Sequence, residues 1–182
     1  KTLMKKNLLL LTLLAFTTIS FSQETEDENS QQRIHELRLD GLKLIAGPIA
    51  EASYEFVKNE NSGYGISILA NLGNDSYDEN FSITPFYRMY FFNKQDYGAK
   101  GFFVEGFGKL STGEIEFYDF DSSINETDKY TDVSLGMSLG KKWVNKNGFV
   151  FELLVGASRA LGGDNDGPEA YFRGGLFVGY RF

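Results

Sequence analysis

From Leu37 to Phe182 the chain follows a period of two, interrupted by turns, and this limits the folds open to it more than any other feature. Successive side chains of a strand point to opposite faces, so a period of two specifies strands, whereas amphipathic helices repeat every 3.6 residues. Over 64–72, Tyr64, Ile66, Ile68, Ala70 and Leu72 oppose Gly65, Ser67, Leu69 and Asn71. Over 133–142, Val133, Leu135, Met137 and Leu139 oppose Ser134, Gly136, Ser138, Gly140 and Lys142. Over 149–158, Phe149, Phe151, Leu153, Val155 and Ala157 oppose Val150, Glu152, Leu154, Gly156 and Ser158. Over 170–182, Ala170, Phe172, Gly174, Leu176, Val178, Tyr180 and Phe182 oppose Tyr171, Arg173, Gly175, Phe177, Gly179 and Arg181.

Turn signals divide this stretch into eight expected strands, at 37–46, 49–58, 64–73, 81–92, 100–118, 130–142, 148–160 and 169–182. The connections are Gly47-Pro48, 59–63, 74–80, 93–99, 119–129, 144–147 and 161–168. Gly47-Pro48 reads either as a hairpin or as a kink in one long strand.

The polar face decides which side is inside. In a soluble barrel the apolar face fills the core and charges meet water. Here the polar face is too rich in glycine and serine for a solvent surface, and its charges nearly balance. Glu51, Glu55, Glu105 and Glu152 stand against Arg88, Lys109, Lys142, Arg173 and Arg181. Small residues with paired charges suit a narrow lumen, and a uniform Phe/Leu/Val/Ile face suits lipid. The expected fold is therefore all-β: an eight-stranded, antiparallel, up-and-down transmembrane β-barrel with a narrow lumen plugged by side chains. Eight strands enclose an interior just wide enough for side chains, which disfavours a diffusion pore.

The N-terminus fits export. Lys5, Lys6 and Asn7 follow an expected initiator Met4, and an apolar run extends from Leu8 to Phe16 and on through Ile19. Ser20 and Ser22 then stand at −3 and −1 before Gln23. This is a secretory signal pattern, too short for the roughly 20 residues of a membrane-spanning helix. The expected organisation is a cleaved signal peptide at 1–22, an acidic flexible periplasmic tail at 23–36 and an outer-membrane β-barrel at 37–182. Removing 1–22 deletes Lys1, Lys5 and Lys6 and no acid. Fifteen basic and 25 acidic residues remain, a net charge of −10, so nucleic acid is not an expected partner.

With the N-terminal tail in the periplasm, an even strand count returns the C-terminus there. The turns at 59–63, 93–99 and 143–147 then face inward, and the longer, acidic connections face outward. Trp143, Phe149, Phe91, Phe92, Tyr97 and Tyr180 are expected at the inner interface, and Tyr118, Phe120, Tyr130 and Phe172 at the outer one.

The last strand ends Gly179-Tyr180-Arg181-Phe182, and Tyr180 with Phe182 resembles the C-terminal signal that outer-membrane proteins present to the barrel-assembly machinery. The stretches Ala52-Ser53-Tyr54-Glu55, Thr84-Pro85-Phe86-Tyr87-Arg88-Met89-Tyr90-Phe91 and Gly101-Phe102-Phe103-Val104-Glu105-Gly106 are also distinctive. Together they resemble a family of small Gram-negative outer-membrane barrels common in Bacteroidetes, labelled a domain of unknown function and of the OmpA/OmpX-like eight-stranded type. The resemblance covers most of 37–182. It implies a fold and a location in the bacterial outer membrane, among outer-membrane lipid and lipopolysaccharide, and brings no catalytic residues.

Candidate chemistry is sparse. With no cysteine there is no disulfide framework, thiolate site or thiol nucleophile. The single histidine, His35, falls in the expected tail, away from Ser134, Ser138 and Ser158, which argues against a lipid-modifying hydrolase. Glu55, Arg88, Glu105, Glu152 and Arg173 are expected to form a structural charge network in the lumen, because opposite charges facing one narrow interior pair. Arg88 with Glu105 is the first expected bridge, the strands 81–92 and 100–118 forming a hairpin. Acidic side chains at Asp75, Asp78, Glu79, Asp119, Asp121, Glu126, Asp128, Asp164 and Asp166 are expected in solvated outer loops. At Asp119-Phe120-Asp121 the sixth and twelfth positions of a calcium loop are Ile124 and Tyr130, which breaks that pattern. No catalytic, cofactor or metal site is expected. The expected function is a non-enzymatic outer-membrane barrel, either structural or an accessory subunit of an envelope complex. The alternatives are an outer-membrane lipid-modifying enzyme and a soluble lipocalin-like carrier with its faces inverted.

Overall fold

The structure is a computed structural model that describes residues 33–73, 79–91, 100–118, 125–161 and 168–182. The expected signal peptide, most of the acidic tail, and Phe92, Tyr97, Phe120 and the loop acids Asp75, Asp78, Asp119, Asp121, Asp164 and Asp166 lie outside them.

Eight antiparallel strands form one closed barrel in chain order: β1 (His35–Asp40), β2 (Ile49–Asn59), β3 (Ser62–Asn71), β4 (Glu79–Phe91), β5 (Gly101–Tyr118), β6 (Asn125–Val144), β7 (Phe149–Ala160) and β8 (Ala170–Arg181). The expected all-β, up-and-down barrel is what the chain adopts. Closure runs through β1 and β8, where Glu36 faces Arg181 and Asp40 faces Phe177. His35 and Phe182 complete the seam with reciprocal backbone hydrogen bonds of 3.0 and 2.8 Å. A closed ladder leaves no edge, so the backbone is satisfied even in a medium that offers no hydrogen bonds. No helix among the described residues is long and apolar enough to cross a membrane.

The first expected strand is corrected. β1 starts at His35 and stops at Asp40, and residues 41–46 form a short helix, α1 (Gly41–Ala46). The Asp40 carboxylate accepts from the Leu42 and Lys43 amides at 3.0 and 3.2 Å, an N-cap that turns the chain out of the sheet. The Gly47 amide closes the last turn on the Lys43 carbonyl at 3.1 Å, and Pro48 follows. A run such as Leu42-Lys43-Leu44-Ile45-Ala46 is too short for periodicity alone to separate helix from strand. The hairpin at Gly47-Pro48 is real, with α1 inside its connection.

Other boundaries shift less. β6 begins at Asn125 rather than 130, so β5 and β6 extend beyond their neighbours as the longest pair. Two tight turns show local causes. Asn59 Oδ1 accepts from the Asn61 amide and the Ser62 hydroxyl, both at 2.9 Å, tightening the β2–β3 turn. Gly148, at φ +93°, takes the left-handed position of the β6–β7 turn, where a side chain would strain the backbone.

The two faces sort as the alternation requires. Leu135, Met137 and Leu139 on β6 are 57%, 66% and 60% exposed, while Ser134, Ser138 and Lys142 between them are buried. The same division holds on β7 and β8, where Leu153, Val155, Phe172 and Val178 face outward and Glu152, Arg173 and Arg181 inward. Trp143, Phe149, Phe91, Tyr180 and Phe172 are exposed on the outer wall. Tyr130 corrects the expected outer girdle: it points inward, is 5% exposed, and packs with Tyr171 at a ring separation of 6.3 Å.

Candidate functional site

The lumen gathers all five expected charges. Arg88 on β4 is the hub. Its Nε donates to Glu105 Oε2 at 2.6 Å, Nη1 to Glu55 Oε2 at 2.9 Å and to Glu152 Oε2 at 2.8 Å, and Nη2 to Glu152 Oε1 at 3.0 Å. Phe86 and Phe103 each hold a ring 4.4 Å from the guanidinium, fixing its plane. Arg173 on β8 reaches Glu105 Oε1 at 2.7 Å, Glu51 at 3.1 Å and Ser67 Oγ at 3.2 Å.

The network extends past those five residues. Arg38 pairs with Glu152, with Glu36 at 3.1 Å and with Glu55 at 2.9 Å. Lys142 Nζ lies 2.8 Å from Glu36 and 2.7 Å from Glu55, and Arg181 joins Glu36 at 2.8 Å. At the other end Lys43 of α1 pairs with Glu51 and with Asp40 at 3.1 Å. The connected set holds six carboxylates (Glu36, Asp40, Glu51, Glu55, Glu105, Glu152) and six cations (Arg38, Lys43, Arg88, Lys142, Arg173, Arg181), so its formal charge is zero. Neutrality matters because an isolated buried ion costs several kcal/mol even after relaxation. Glu55 is fully buried, as are Glu36, Arg38, Glu105 and Glu152, and it also accepts from the Tyr90 hydroxyl at 2.6 Å.

β3 contributes space rather than charge. A Cβ on Gly63 would run into the Glu55 carboxylate, and one on Gly65 into the Tyr54 carbonyl and the Phe86 ring. These glycines let Glu55 and Phe86 approach the wall. Nearer the α1 end, Lys109 pairs with Glu79 at 2.7 Å, the Tyr171 hydroxyl donates to Asp132 at 2.7 Å, and the Ser134 and Ser158 hydroxyls are 2.9 Å apart. A luminal cavity lined by Lys43, Glu51, Ser82, Thr84, Lys109 and Arg173 has a volume of only about 10 Å³, room for one water.

Glu36, Glu55 and Glu152 place carboxylate oxygens within 4.8 Å of one another, a spacing that could hold a metal. Lys142 and Arg38 stand among those same oxygens and already supply the positive charge a cation would bring. The cluster is an ion-pair lattice.

Four members of the lattice lie outside the expected set. Glu36 falls in the expected tail, and Arg38, Asp40 and Lys43 carry no motif that marks them as lattice members. The signal was present, since Glu36, Arg38 and Asp40 alternate with Leu37 and Leu39. Glu79, expected in a solvated loop, opens β4 and is buried against Lys109. His35, expected in a solvated tail, is the first residue of β1. Its Nδ1 is 2.6 Å from the Tyr54 hydroxyl, and its ring stacks on Phe182 at 5.9 Å. It lies on the outer wall, whereas Ser134, Ser138 and Ser158 are buried toward the lumen. Of the expected assembly-signal residues, Tyr180 stacks edge-on against Phe149 at 5.7 Å, and Phe182 joins His35 at the seam.

No protein-family model matches this chain, and no curated protein sequence does. Among solved structures, the crystal structure of the N-terminal β-barrel domain of Pseudomonas aeruginosa OprF is similar, with a TM-score of 0.55 and 13% identity. The match covers 83% of this chain and 98% of that one. At that identity the likeness concerns the fold, and the fold is an outer-membrane-type eight-stranded β-barrel.

Proposed function

We propose that this protein is a non-enzymatic barrel of the bacterial outer membrane, with a structural role or an accessory role in an envelope complex, of the kind its motifs resemble in Bacteroidetes barrels. The observation that carries the reading is the orientation of the two faces. Aliphatic and aromatic side chains point outward around the wall while a charge-neutral ion lattice fills the inside. Water would favour the reverse, and hydrocarbon favours what is seen. A lipocalin-like carrier needs Phe and Leu around a ligand cavity, so the arrangement argues against it. A lipid-modifying enzyme needs a base beside a nucleophile, and the outward His35 does not face the inward serines. On this reading outer-membrane lipid and lipopolysaccharide surround the wall, and the barrel-assembly machinery inserts it. Fractionation combined with gel migration before and after heating tests the proposal. An outer-membrane pool that shifts on heating supports it, and a soluble periplasmic pool overturns it.

A further inference from the structure

Arg33, just ahead of β1, is held in place without an acid. Its Nη1 donates to the Asn147 carbonyl at 2.7 Å, and its guanidinium lies over the Tyr180 ring at 5.9 Å. The carbonyl is itself fixed, because Asn145-Lys146-Asn147-Gly148 is a tight turn. The Gly148 amide closes it on the Asn145 carbonyl at 3.1 Å, and the Arg181 amide ties the Gly148 carbonyl to β8 at 2.8 Å. A Cβ on Gly148 would stand 2.7 Å from Arg33 Nη1, so bare backbone at this position makes room for the guanidinium.

Arg33 differs from the arginines of the lumen. Arg38, Arg88, Arg173 and Arg181 each close on carboxylates inside the barrel. Arg33 is exposed and forms no ion pair among the described residues. A guanidinium carries five N–H donors in a planar fork, and one of them is engaged by Asn147. The apolar wall begins beside it, where the exposed rings of Tyr180 and Phe149 pack edge-on at 5.7 Å. Among Arg33, the 145–148 turn, Phe149 and Tyr180, the charged side chains are Arg33 and Lys146, both cations. A pinned cation without a counter-ion, at the rim of an aromatic surface, suits an amphiphile whose anion sits at the interface.

We propose that Arg33 anchors the phosphate of a phospholipid with a net negative headgroup, its acyl chains lying against Tyr180 and Phe149. The inference rests on the membrane reading above. The fork offers a phosphate two parallel N–H···O bonds. A headgroup with its own ammonium brings a further cation to a corner that holds two already, so charge selects phosphatidylglycerol over phosphatidylcholine.

The test is native mass spectrometry of the full, folded chain released from vesicles of phosphatidylglycerol and phosphatidylcholine in equal amounts. Gel migration before and after heating shows that each variant is folded. Phosphatidylglycerol is retained in preference. Arg33→Gln lowers that preference about threefold to fivefold, the scale of one exposed ion pair. Arg33→Lys keeps the charge without the fork and falls between the parent and Arg33→Gln. Lys129→Gln, an equal loss of charge toward the opposite end of β6, leaves the preference as it was. Glycerol phosphate added in solution does not displace the lipid. Equal retention of the two lipids by an inserted barrel, indifference to Arg33→Gln, or displacement by soluble glycerol phosphate overturns the lipid site and leaves the membrane reading intact. A chain that does not insert into vesicles overturns both.

Discussion

Arg88 and Glu105 stand directly opposite each other in the β4–β5 ladder, and their side chains join at 2.6 Å inside the barrel. Both are buried, and each also has a partner elsewhere, Arg88 on Glu55 and Glu152, Glu105 on Arg173. The bridge therefore links two halves of one lattice. Arg88→Met keeps much of the volume but leaves three carboxylates short of a cation. The expected loss is about 3–5 kcal/mol of stability, the cost of breaking one side of a buried ion pair. Combining it with Glu105→Gln restores the charge balance, so the double variant loses less than the sum of the singles, with a coupling of about 1 kcal/mol or more. Urea titrations of the folded barrel, followed by gel migration, measure all three.

Gly65 and Gly106 give opposite outcomes for the same substitution. Gly65 faces a carbonyl and the Phe86 ring, whereas a Cβ on Gly106 would meet nothing within 4 Å. Gly65→Ala forces β3 away from β2 and Phe86 and is expected to cost about 1–3 kcal/mol, the usual penalty of overpacking. Gly106→Ala removes only unfolded-chain freedom and gains about 0.4–1 kcal/mol. The midpoints of the two variants should fall on opposite sides of the parent's.

His35 is a clasp on the closure seam, with a 2.6 Å hydrogen bond to Tyr54 and its ring against Phe182. His35→Ala loses one hydrogen bond and a ring contact, about 1–2 kcal/mol together. The heated-to-unheated gel transition should move to lower temperature. Lipid A and phospholipid profiles of cells carrying the variant should match those of the parent, and a changed profile would instead revive the enzymatic reading.

What could be read from the residues alone follows from parity. Once Val133 is fixed as outward, every other position of β6 follows, and the lumen charges on β4, β5, β7 and β8 fall into place. Aromatic character suggests a girdle position for Tyr130, but its phase decides: three positions from Val133, it must point inward. Asp40 looks like one more polar residue of a strand, and its role as a helix cap depends on amides that only the fold presents to it. Glu36 was hidden by the acidic run before it, since a charge in such a run looks solvated until Lys142 and Arg181, more than a hundred positions away, are brought beside it. Composition carried the net balance of the lumen, but partner choice depends on register.

The sharpest separation of a lipid-facing wall from a water-facing one comes from Met137, 66% exposed at a central position of β6 and aligned with Gly106 and Ala157 on its neighbours. At an exposed site of a water-soluble barrel, Met137→Arg would change stability by no more than about 0.5 kcal/mol. In hydrocarbon the same guanidinium has no partner and cannot reach either interface from mid-strand without distortion, at a cost of about 2–4 kcal/mol. The two solvents therefore predict different results from one substitution that touches nothing inside the barrel. Folding titrations in vesicles and in detergent micelles should show a large loss for Met137→Arg in the first and a smaller one in the second. Met137→Leu, which keeps the surface apolar, should match the parent in both.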